Sequence, residues 1–199
     1  MKITVWDTET TGFATRGGDL SQQPYIIQFA ALEGEYIEGQ FRELARHNFL
    51  MKPPVSIPFG ASQVHGIYDK DVADKNPIRN HIDEIIRVLN RAEILSGHNI
   101  EYDEEILSYE LERLGRRGEY VPQSTICTMR GSTDYCKLQG RGFSYKPPKL
   151  SELYKHLFGE WFEGAHDAMV DVEATMRCLV ELLDRKVIEP ETTNLMRLF

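Results

Sequence analysis

The sequence predicts an α/β protein with one mixed central sheet and helices on its faces. Three apolar or alternating segments come first, separated by turn residues, and they predict an antiparallel meander. From about residue 92 onward, short apolar segments alternate with amphipathic helices, which is typical of parallel strands joined by helical crossovers. The length of 199 residues suits one domain, so these elements are expected to share one core.

The individual elements follow the apolar pattern of the chain. The expected early strands are KITVWDTE (2–9), PYIIQFAALE (24–33) and ELARHNFLMK (43–52). A helix is expected from about Asn76, where Asn-Pro supplies a cap and a first-turn residue, followed by the short buried strand AEILSGHN. We then expect a helix over 100–114, a strand at 124–129, a short helix over 150–158 and a long helix over 167–185.

Two segments lack this regular pattern. Residues 130–149 contain three glycines and two prolines with little periodicity, so we expect a loop that is ordered, either by itself or by substrate. The main domain is expected to span residues 1–185, with residues 186–199 as a C-terminal tail.

Composition excludes several classes of protein. Hydrophobic residues at 41% and charged residues at 27% argue against disorder. No apolar stretch is long enough for a membrane span, and MKITVWD reaches an acid too early for a signal peptide. Three cysteines without a C-x-x-C pair disfavour a disulfide framework and a zinc-thiolate site. We therefore expect reduced thiols, no membrane contact and a cytoplasmic location.

The net charge of −8 has the wrong sign for a protein that coats nucleic acid through bulk charge. It does not exclude an enzyme that acts on nucleic acid. A site made of clustered carboxylates raises the acid count, and bound divalent cations reverse the local field.

The first strand ends in two acids, Asp7 and Glu9. Because side chains alternate along a strand, both acids lie on the same face as Ile3 and Val5, which are core residues. Carboxylates on a core-directed face need compensation, and a divalent cation commonly supplies it. Acid-x-acid spacing also occurs elsewhere in the chain, so the pattern alone is weak.

The helix expected over 100–114 begins with a second candidate acid. Asp103 heads an apolar stripe that continues with Leu107 and Leu111. It also fits an ordinary first-turn acid, a position that the helix dipole favours. Asn99 lies directly before this helix and is a natural N-cap.

The last long helix carries the third group. Asp171 lies beside its buried stripe, Asp167 suits the N-cap, and His166 precedes the helix. We expect His166 on the mobile lead-in, where an imidazole can act as a general base. The spacing His-x4-Asp is not specific, since His98 and Asp103 repeat it.

Taken together, Asp7-x-Glu9, His98-Asn99-x3-Asp103 and His166-Asp167-x3-Asp171 resemble the DEDDh (DnaQ-like) 3′-5′ exonuclease family. Gly12, the run Val64-His65-Gly66-Ile67 and the run AHDAMVDVEAT are also similar to that family. The resemblance covers roughly residues 1–185 and rests on order and spacing. It implies a ribonuclease-H-like sheet, which agrees with the mixed sheet expected above.

The resemblance also implies roles for single residues. Asp7, Glu9, Asp103 and Asp171 would hold two Mg²⁺ or Mn²⁺ ions, and His166 would activate the attacking water. Thr8, Thr10, Thr11, Gly12 and Phe13 would flank the terminal nucleotide, with His65 approaching from the facing loop and Asn99 beside them. A threonine-rich turn and a loop-packing histidine are the structural alternatives for these positions.

The chain departs from the family at two places that are not metal ligands. Ile126-Cys127-Thr128 stands where relatives often carry Asp-Thr, and Gln28 stands where many carry an acid. These departures bear on substrate details rather than on catalysis.

Residues 130–149 contain five basic residues against Asp134 alone, with Tyr135, Phe143 and Tyr145 among them. Aromatic side chains between cations suit stacking on unpaired bases and contacts to phosphates, so Arg141, Lys146 and Lys149 are expected to guide a single strand. A solvated loop whose lysines aid solubility is the alternative.

The leading hypothesis is a metal-dependent exonuclease that releases nucleoside 5′-monophosphates from 3′ ends of DNA, single-stranded or frayed. The alternatives are an RNA-trimming exoribonuclease or oligoribonuclease of the same family, and a non-catalytic nucleic-acid-binding or polymerase-associated subunit. A DNA polymerase or repair protein is therefore a possible partner. Oligomeric state does not follow from the sequence.

Overall fold

The sheet has five strands, of which the first three are long. In this computed structural model, which describes residues 1–121, 124–142 and 144–189, the strands are β1 (Lys2–Thr10), β2 (Ile26–Ile37), β3 (Gln40–Leu50), β4 (Ile94–Gly97) and β5 (Thr125–Cys127). Their order is β3-β2-β1-β4-β5. The pairs β1–β2 and β2–β3 are antiparallel, whereas β1–β4 and β4–β5 are parallel. The expected mixed sheet is confirmed.

Helices cover both faces of the sheet. They are α1 (Phe59–His65), α2 (Asp69–Val72), α3 (Ile82–Asn90), α4 (Ile100–Arg113), α5 (Thr128–Gly131), α6 (Thr133–Cys136), α7 (Leu150–Phe158) and α8 (Ala168–Asp184). The expected helices over 100–114, 150–158 and 167–185 are confirmed within one or two residues. The four short helices α1, α2, α5 and α6 were not predicted, because segments of four to seven residues carry almost no periodic signal.

Several expected boundaries are wrong. β2 spans Ile26–Ile37 rather than 24–33, β3 spans Gln40–Leu50 rather than 43–52, and β4 spans only Ile94–Gly97 of the expected 92–99. The helix expected from Asn76 begins at Ile82, and a separate 3-10 turn occupies Ile78–Asn80 because the backbone at His81 (φ −112°) departs from regular helical values. The strand expected at 124–129 ends at Cys127, since Thr128 already starts α5. The helical turn places Thr128 beside the end of β4, where its hydroxyl donates to the carbonyl of Gly97.

The alternation of β1 sends its side chains into two different cores. Ile3 and Val5 pack in the cluster that includes Val172 and Leu179 of α8. Trp6 packs on the opposite face, in the cluster that includes Ile85 of α3 and further side chains of α4. The strand is therefore covered on both faces, and any polar residue near its end meets a helix.

The basic segment, residues 130–149, is less irregular than expected where it is described. It includes the end of α5 and all of α6, and Gln139 and Tyr145 form an isolated antiparallel bridge. Phe143 lies outside the described residues. Of the expected tail, Val187 and Ile188 pack against the core, while residues 190–199 lie outside the described part.

All three cysteines are unpaired. In the parts of the chain given above, none of the helices combines the length and the apolar character that crossing a membrane requires.

Candidate active site

The two acids of β1 lie where the sequence predicts. Asp7 and Glu9 follow Ile3 and Val5 on the face that packs against α8, and both side chains are half-buried between the strand and the helix. A strand end carries them because the alternation of side chains continues past the last apolar residue.

Asp103 approaches the same place from α4. It is 3% exposed, and it accepts hydrogen bonds from the backbone N–H of Thr8 at 3.0 Å and from its hydroxyl at 2.7 Å. Leu107 and Leu111 continue the buried stripe behind it. Asp103 is thus held against β1 at Thr8, the residue between the two acids of the strand, and it is not an ordinary solvated first-turn acid.

The start of α8 supplies the remaining groups. Asp167 is the N-cap, as expected, and its carboxylate accepts from the N–H groups of Met169 and Val170. Asp171 accepts from the backbone N–H of His166 at 3.1 Å. His166 is exposed and has a left-handed backbone (φ 72°), which costs a non-glycine residue of the order of 1–3 kcal/mol. Such strain is common at functional sites.

Burial raises the pKa values of all four carboxylates, and repulsion by the neighbouring acids adds to the shift for Asp7 and Glu9. Burial raises the pKa of Glu9 to about 8, and Asp171 and Asp103 add to the shift by their charge. Burial likewise raises the pKa of Asp103 to about 7 and that of Asp171 to about 6, against the opposing effect of the hydrogen bonds that each accepts. The pKa of Asp7 is raised well above its ordinary value by burial and by the neighbouring acids.

The donor set fits divalent cations. Oxygen atoms of Glu9 and Asp171 and a ring nitrogen of His166 lie within 4.8 Å of one another. The Oδ1 atom of Asp171 is buried and has no hydrogen-bond partner in the described residues. The clustered carboxylate oxygens have too few hydrogen-bond donors to balance their negative charge. A hard cation such as Mg²⁺ compensates such a charge.

A cavity of about 600 Å³ opens beside the acids. Its lining includes all the residues that the resemblance places around a terminal nucleotide except Asn99, and it adds several residues from α1 and α4. The lining residues are Thr8, Glu9, Thr10, Thr11, Gly12, Phe13, Pro58, Gly60, Ala61, Val64, His65, Tyr102 and His166. Phe13, at 89% exposed, and Val64, at 51%, present apolar surface at its rim, as a site for a nucleobase requires.

Tyr102 is one of the cavity residues that the sequence did not reveal, together with Pro58, Gly60 and Ala61. Its hydroxyl donates to the carbonyl of Gly12 at 2.9 Å and lies 3.3 Å from the hydroxyl of Thr10. It therefore ties α4 to the turn after β1. Its position next to Asp103 was the available signal, but an aromatic residue in a helix is usually core.

His65 and His98 differ in how they are held. The Nε2 atom of His65 is buried without a hydrogen-bond partner in the part of the chain that the structure describes, and the residue lines the cavity. Both ring nitrogens of His98 lie 3.0 Å from partners, the hydroxyl of Thr128 and the carbonyl of Pro148. His98 is therefore a structural residue, whereas His65 belongs to the cavity wall.

The remaining expected substrate residues lie apart from the cavity. Asn99 is the N-cap of α4 with a left-handed backbone (φ 77°) and no side-chain capping bond. Lys146 is paired with Glu152 at 2.6 Å, while Arg141 and Lys149 are exposed. The hydroxyl of Tyr135 accepts from Arg185 and its ring packs edge-on against His156, which removes it from the set of stacking candidates.

Comparisons with known proteins agree with this geometry. The family model described as Exonuclease (RNase T) matches residues 4–179. The chain is 30% identical over its whole length to the 3′-5′ exonuclease DinG of Bacillus subtilis, of which it covers 19%. It is 28% identical, over 85% of its length, to DNA polymerase III subunit epsilon of Haemophilus influenzae, of which it covers 62%. The chain thus spans only part of these curated relatives.

Solved structures share the fold. Exonuclease X in complex with 5′ overhanging duplex DNA has a TM-score of 0.61 at 21% identity, covering 95% of each chain. The zinc-bound complex of E. coli exonuclease I with single-stranded DNA has a TM-score of 0.74 at 21% identity, covering 93% of this chain and 41% of that one. The expected ribonuclease-H-like sheet is confirmed.

Proposed function

This chain belongs to the exonuclease family, and we propose that it hydrolyses phosphodiester bonds from the 3′ end of DNA and releases nucleoside 5′-monophosphates. One observation carries the proposal. The carboxylates of Asp7, Glu9, Asp103 and Asp171 converge beside an open cavity whose lining includes Thr8, Thr10, Thr11, Gly12, Phe13 and His65, the residues that the resemblance places around a terminal nucleotide.

The four carboxylates are the proposed ligands of two Mg²⁺ or Mn²⁺ ions. Bound cations would neutralise charge on the phosphoryl oxygens, lower the pKa of water and stabilise the leaving oxygen. The protein contributes the rigidity of the ligand set. Asp103 is fixed by two hydrogen bonds from Thr8, and Asp171 is fixed by the N–H of His166.

His166 is the proposed general base. Its imidazole is exposed, lines the cavity and lies near Glu9 and Asp171, so it can take a proton from water and pass it to solvent.

The cavity holds the terminal nucleotide in this proposal. Phe13 and Val64 offer apolar contact to the base, while the hydroxyls of Thr10 and Tyr102 hold the turn at Gly12 in place. Because the cavity is open at its rim, a 3′ end that is already single-stranded or frayed can enter it, and no additional base pairs have to be opened. Similarity to exonuclease and polymerase subunits supports DNA as the substrate and a polymerase or repair protein as a partner.

The proposal is tested by product analysis on end-labelled single-stranded DNA, duplex DNA and RNA of the same sequence. With Mg²⁺, 5′-labelled single-stranded DNA is expected to shorten stepwise and 3′-labelled DNA to release labelled mononucleotide at once. Asp7→Ala, prepared in parallel, serves as the matched control for contaminating nucleases. Faster cleavage of RNA would contradict the choice of DNA, and undiminished hydrolysis in excess EDTA would contradict the metal mechanism.

A further inference from the structure

The first turn of α8 must be placed accurately, because it carries Asp171 and follows directly on His166. Most of its backbone N–H groups, which have no acceptor within the helix itself, are satisfied by the N-cap residue. The N–H groups of Met169 and Val170 donate to the N-cap Asp167, and the N–H of Asp171 donates to the carbonyl of Asp167. The N–H of Ala168 has no local acceptor of this kind, so its partner comes from elsewhere in the fold.

That partner is Gln28 of β2. Gln28 is 2% exposed, and its Oε1 atom accepts from the N–H of Ala168 at 3.2 Å. Its Nε2 atom donates to Oδ1 of Asn48 on β3 at 3.1 Å. One buried side-chain amide therefore connects two strands of the sheet to the start of α8.

Gln28 also has a fixed relation to the acids of β1. It is the cross-strand partner of Glu9 in the β1–β2 ladder, so the two side chains project on the same face of the sheet. The Gln28 amide contacts α8 at Ala168, two residues after His166 and three before Asp171. Gln28 thus connects the strand that pairs with β1 at Glu9 to the helix start that carries His166 and Asp171.

We propose that Gln28 is a positioning residue, which sets the distance of His166 and Asp171 from Glu9 by holding the N–H of Ala168. This inference rests on the proposed function, since it concerns the same site. Gln28 itself is not among the residues that line the cavity of the proposed site. Its effect is expected on turnover rather than on binding, because misplacing catalytic groups by about 1 Å can lower a rate by about 10²-fold.

The main test compares Gln28→Leu with Gln28→Glu. Leucine cannot accept a hydrogen bond, whereas a carboxylate oxygen of glutamate can accept from the same N–H. Gln28→Leu is expected to lower kcat by about 10- to 100-fold with KM changed less than about threefold, and Gln28→Glu to restore kcat to within about threefold. Amide hydrogen exchange at Ala168 should accelerate in the leucine variant and not in the glutamate variant.

Asn90 provides the matched control, because its amide also donates one hydrogen bond and accepts another between two segments. Its partners are the carbonyl of Glu119 and the N–H of Val121, away from α8. Asn90→Leu is expected to leave kcat and Ala168 exchange unchanged when both variants are measured equally far below their melting temperatures. If kcat falls as far in Asn90→Leu as in Gln28→Leu, the loss reflects a general effect on protein stability. That result would overturn the inference that Gln28 positions the catalytic groups.

Asn48→Ala keeps the test decisive if Gln28→Leu does not fold, since Asn48 is exposed. It is expected to accelerate Ala168 exchange and to lower kcat by about threefold, and unchanged values of both would contradict the proposal. An active wild-type protein with an unaffected Gln28→Leu variant overturns this inference alone. A wild-type protein that shows no metal-dependent hydrolysis overturns the proposed function as well.

Discussion

The chain carries the pattern His-x4-Asp twice, at His98 and Asp103 and again at His166 and Asp171, and the structure uses the two copies differently. Both aspartates reach the carboxylate cluster. His98 has both ring nitrogens hydrogen-bonded, and burial lowers its pKa to about 4. His166 is exposed, has a left-handed backbone and lines the cavity. The same spacing therefore identifies an aspartate of the carboxylate cluster in both copies, but it does not tell which role the histidine has.

The difference has a simple physical origin. His98 follows the buried strand β4 and is still covered by α5 and by the end of the basic segment at Pro148. His166 lies on the short connection after α7, with the helix starting only at Ala168. A histidine in the first setting supports packing, and one in the second can exchange protons with water.

The largest effects are expected at the aspartates, where the two copies should behave alike. Asp103→Asn and Asp171→Asn are each expected to lower kcat by about 10³-fold or more, because each removes a member of a set that acts as a unit. Steady-state hydrolysis of single-stranded DNA measures this, with circular dichroism melts to confirm folding. Near-normal turnover in either variant would show that its copy of the pattern contributes no ligand.

At the histidines the two copies should separate. His166→Ala is expected to lower kcat by about 10²-fold with an unchanged melting temperature, because it removes a general base. His98→Ala is expected to lower the melting temperature by roughly 4–8 °C, from a destabilisation of about 2 kcal/mol, with kcat nearly normal well below the transition. The reverse outcome, with low turnover and a normal melt in the His98 variant, would exchange the two roles.

The pH dependence of stability tests the carboxylate cluster without any assay of activity. Folded pKa values of about 8, 7 and 6 for Glu9, Asp103 and Asp171 exceed the value near 4 for unfolded chains, so the folded state binds more protons in between. The stabilisation they contribute is full below about pH 4 and disappears as the pH rises through about 6 to 8.

Urea unfolding in EDTA is therefore expected to give a lower midpoint at about pH 8.5 than at about pH 5.5. Saturating Mg²⁺ should reverse this order, because it binds the charged carboxylates of the folded state. Asp171→Asn should show a weaker pH effect than wild type. A midpoint in EDTA that does not change between the two pH values would mean that the acids do not interact as the structure indicates.

The smallest effect on hydrolysis is expected from substitutions in the basic segment, which lies outside both copies of the His-x4-Asp pattern. Neutralising Arg141, Lys146 and Lys149 together should flatten the log–log salt dependence of single-strand binding by about 0.7 for each phosphate that the variant no longer binds. Because Lys146 is paired with Glu152, a double variant at Arg141 and Lys149 should account for most of the change. The triple variant should raise KM more than it lowers kcat. A salt-dependence slope equal to that of wild type would show that the single-stranded DNA binds elsewhere on the protein.

Much of the site was predictable because strand alternation is local. The residues Asp7 and Glu9 could be assigned to one face from β1 alone, and the apolar stripe below Asp103 marked its direction. The hydrogen bond from Thr8 to Asp103 joins residues 95 apart in sequence, and that from the N–H of Ala168 to Gln28 joins residues 140 apart. No local pattern contains such a contact, so the buried state of Asp103 and the role of Gln28 required the fold.

The elements that the sequence missed are the short ones. Helix α1 has seven residues and places Val64 and His65 against the cavity, yet its length allows fewer than two full repeats of the helical period. Tyr102 was overlooked because its function depends on the carbonyl of Gly12, which a different element supplies. Apolar periodicity thus predicted the sheet and the long helices, while contacts between elements determined the cavity wall.

The central claim is that the carboxylate cluster is a divalent-cation site, and calorimetric titration with Mn²⁺ tests it most directly. Wild-type protein is expected to bind Mn²⁺ with a stoichiometry of about two when a substrate analogue is present, and Asp7→Ala is expected not to bind it while it remains folded. His98→Ala should bind as wild type does. Equal Mn²⁺ binding by wild type and Asp7→Ala, or no binding by wild type, would contradict the account.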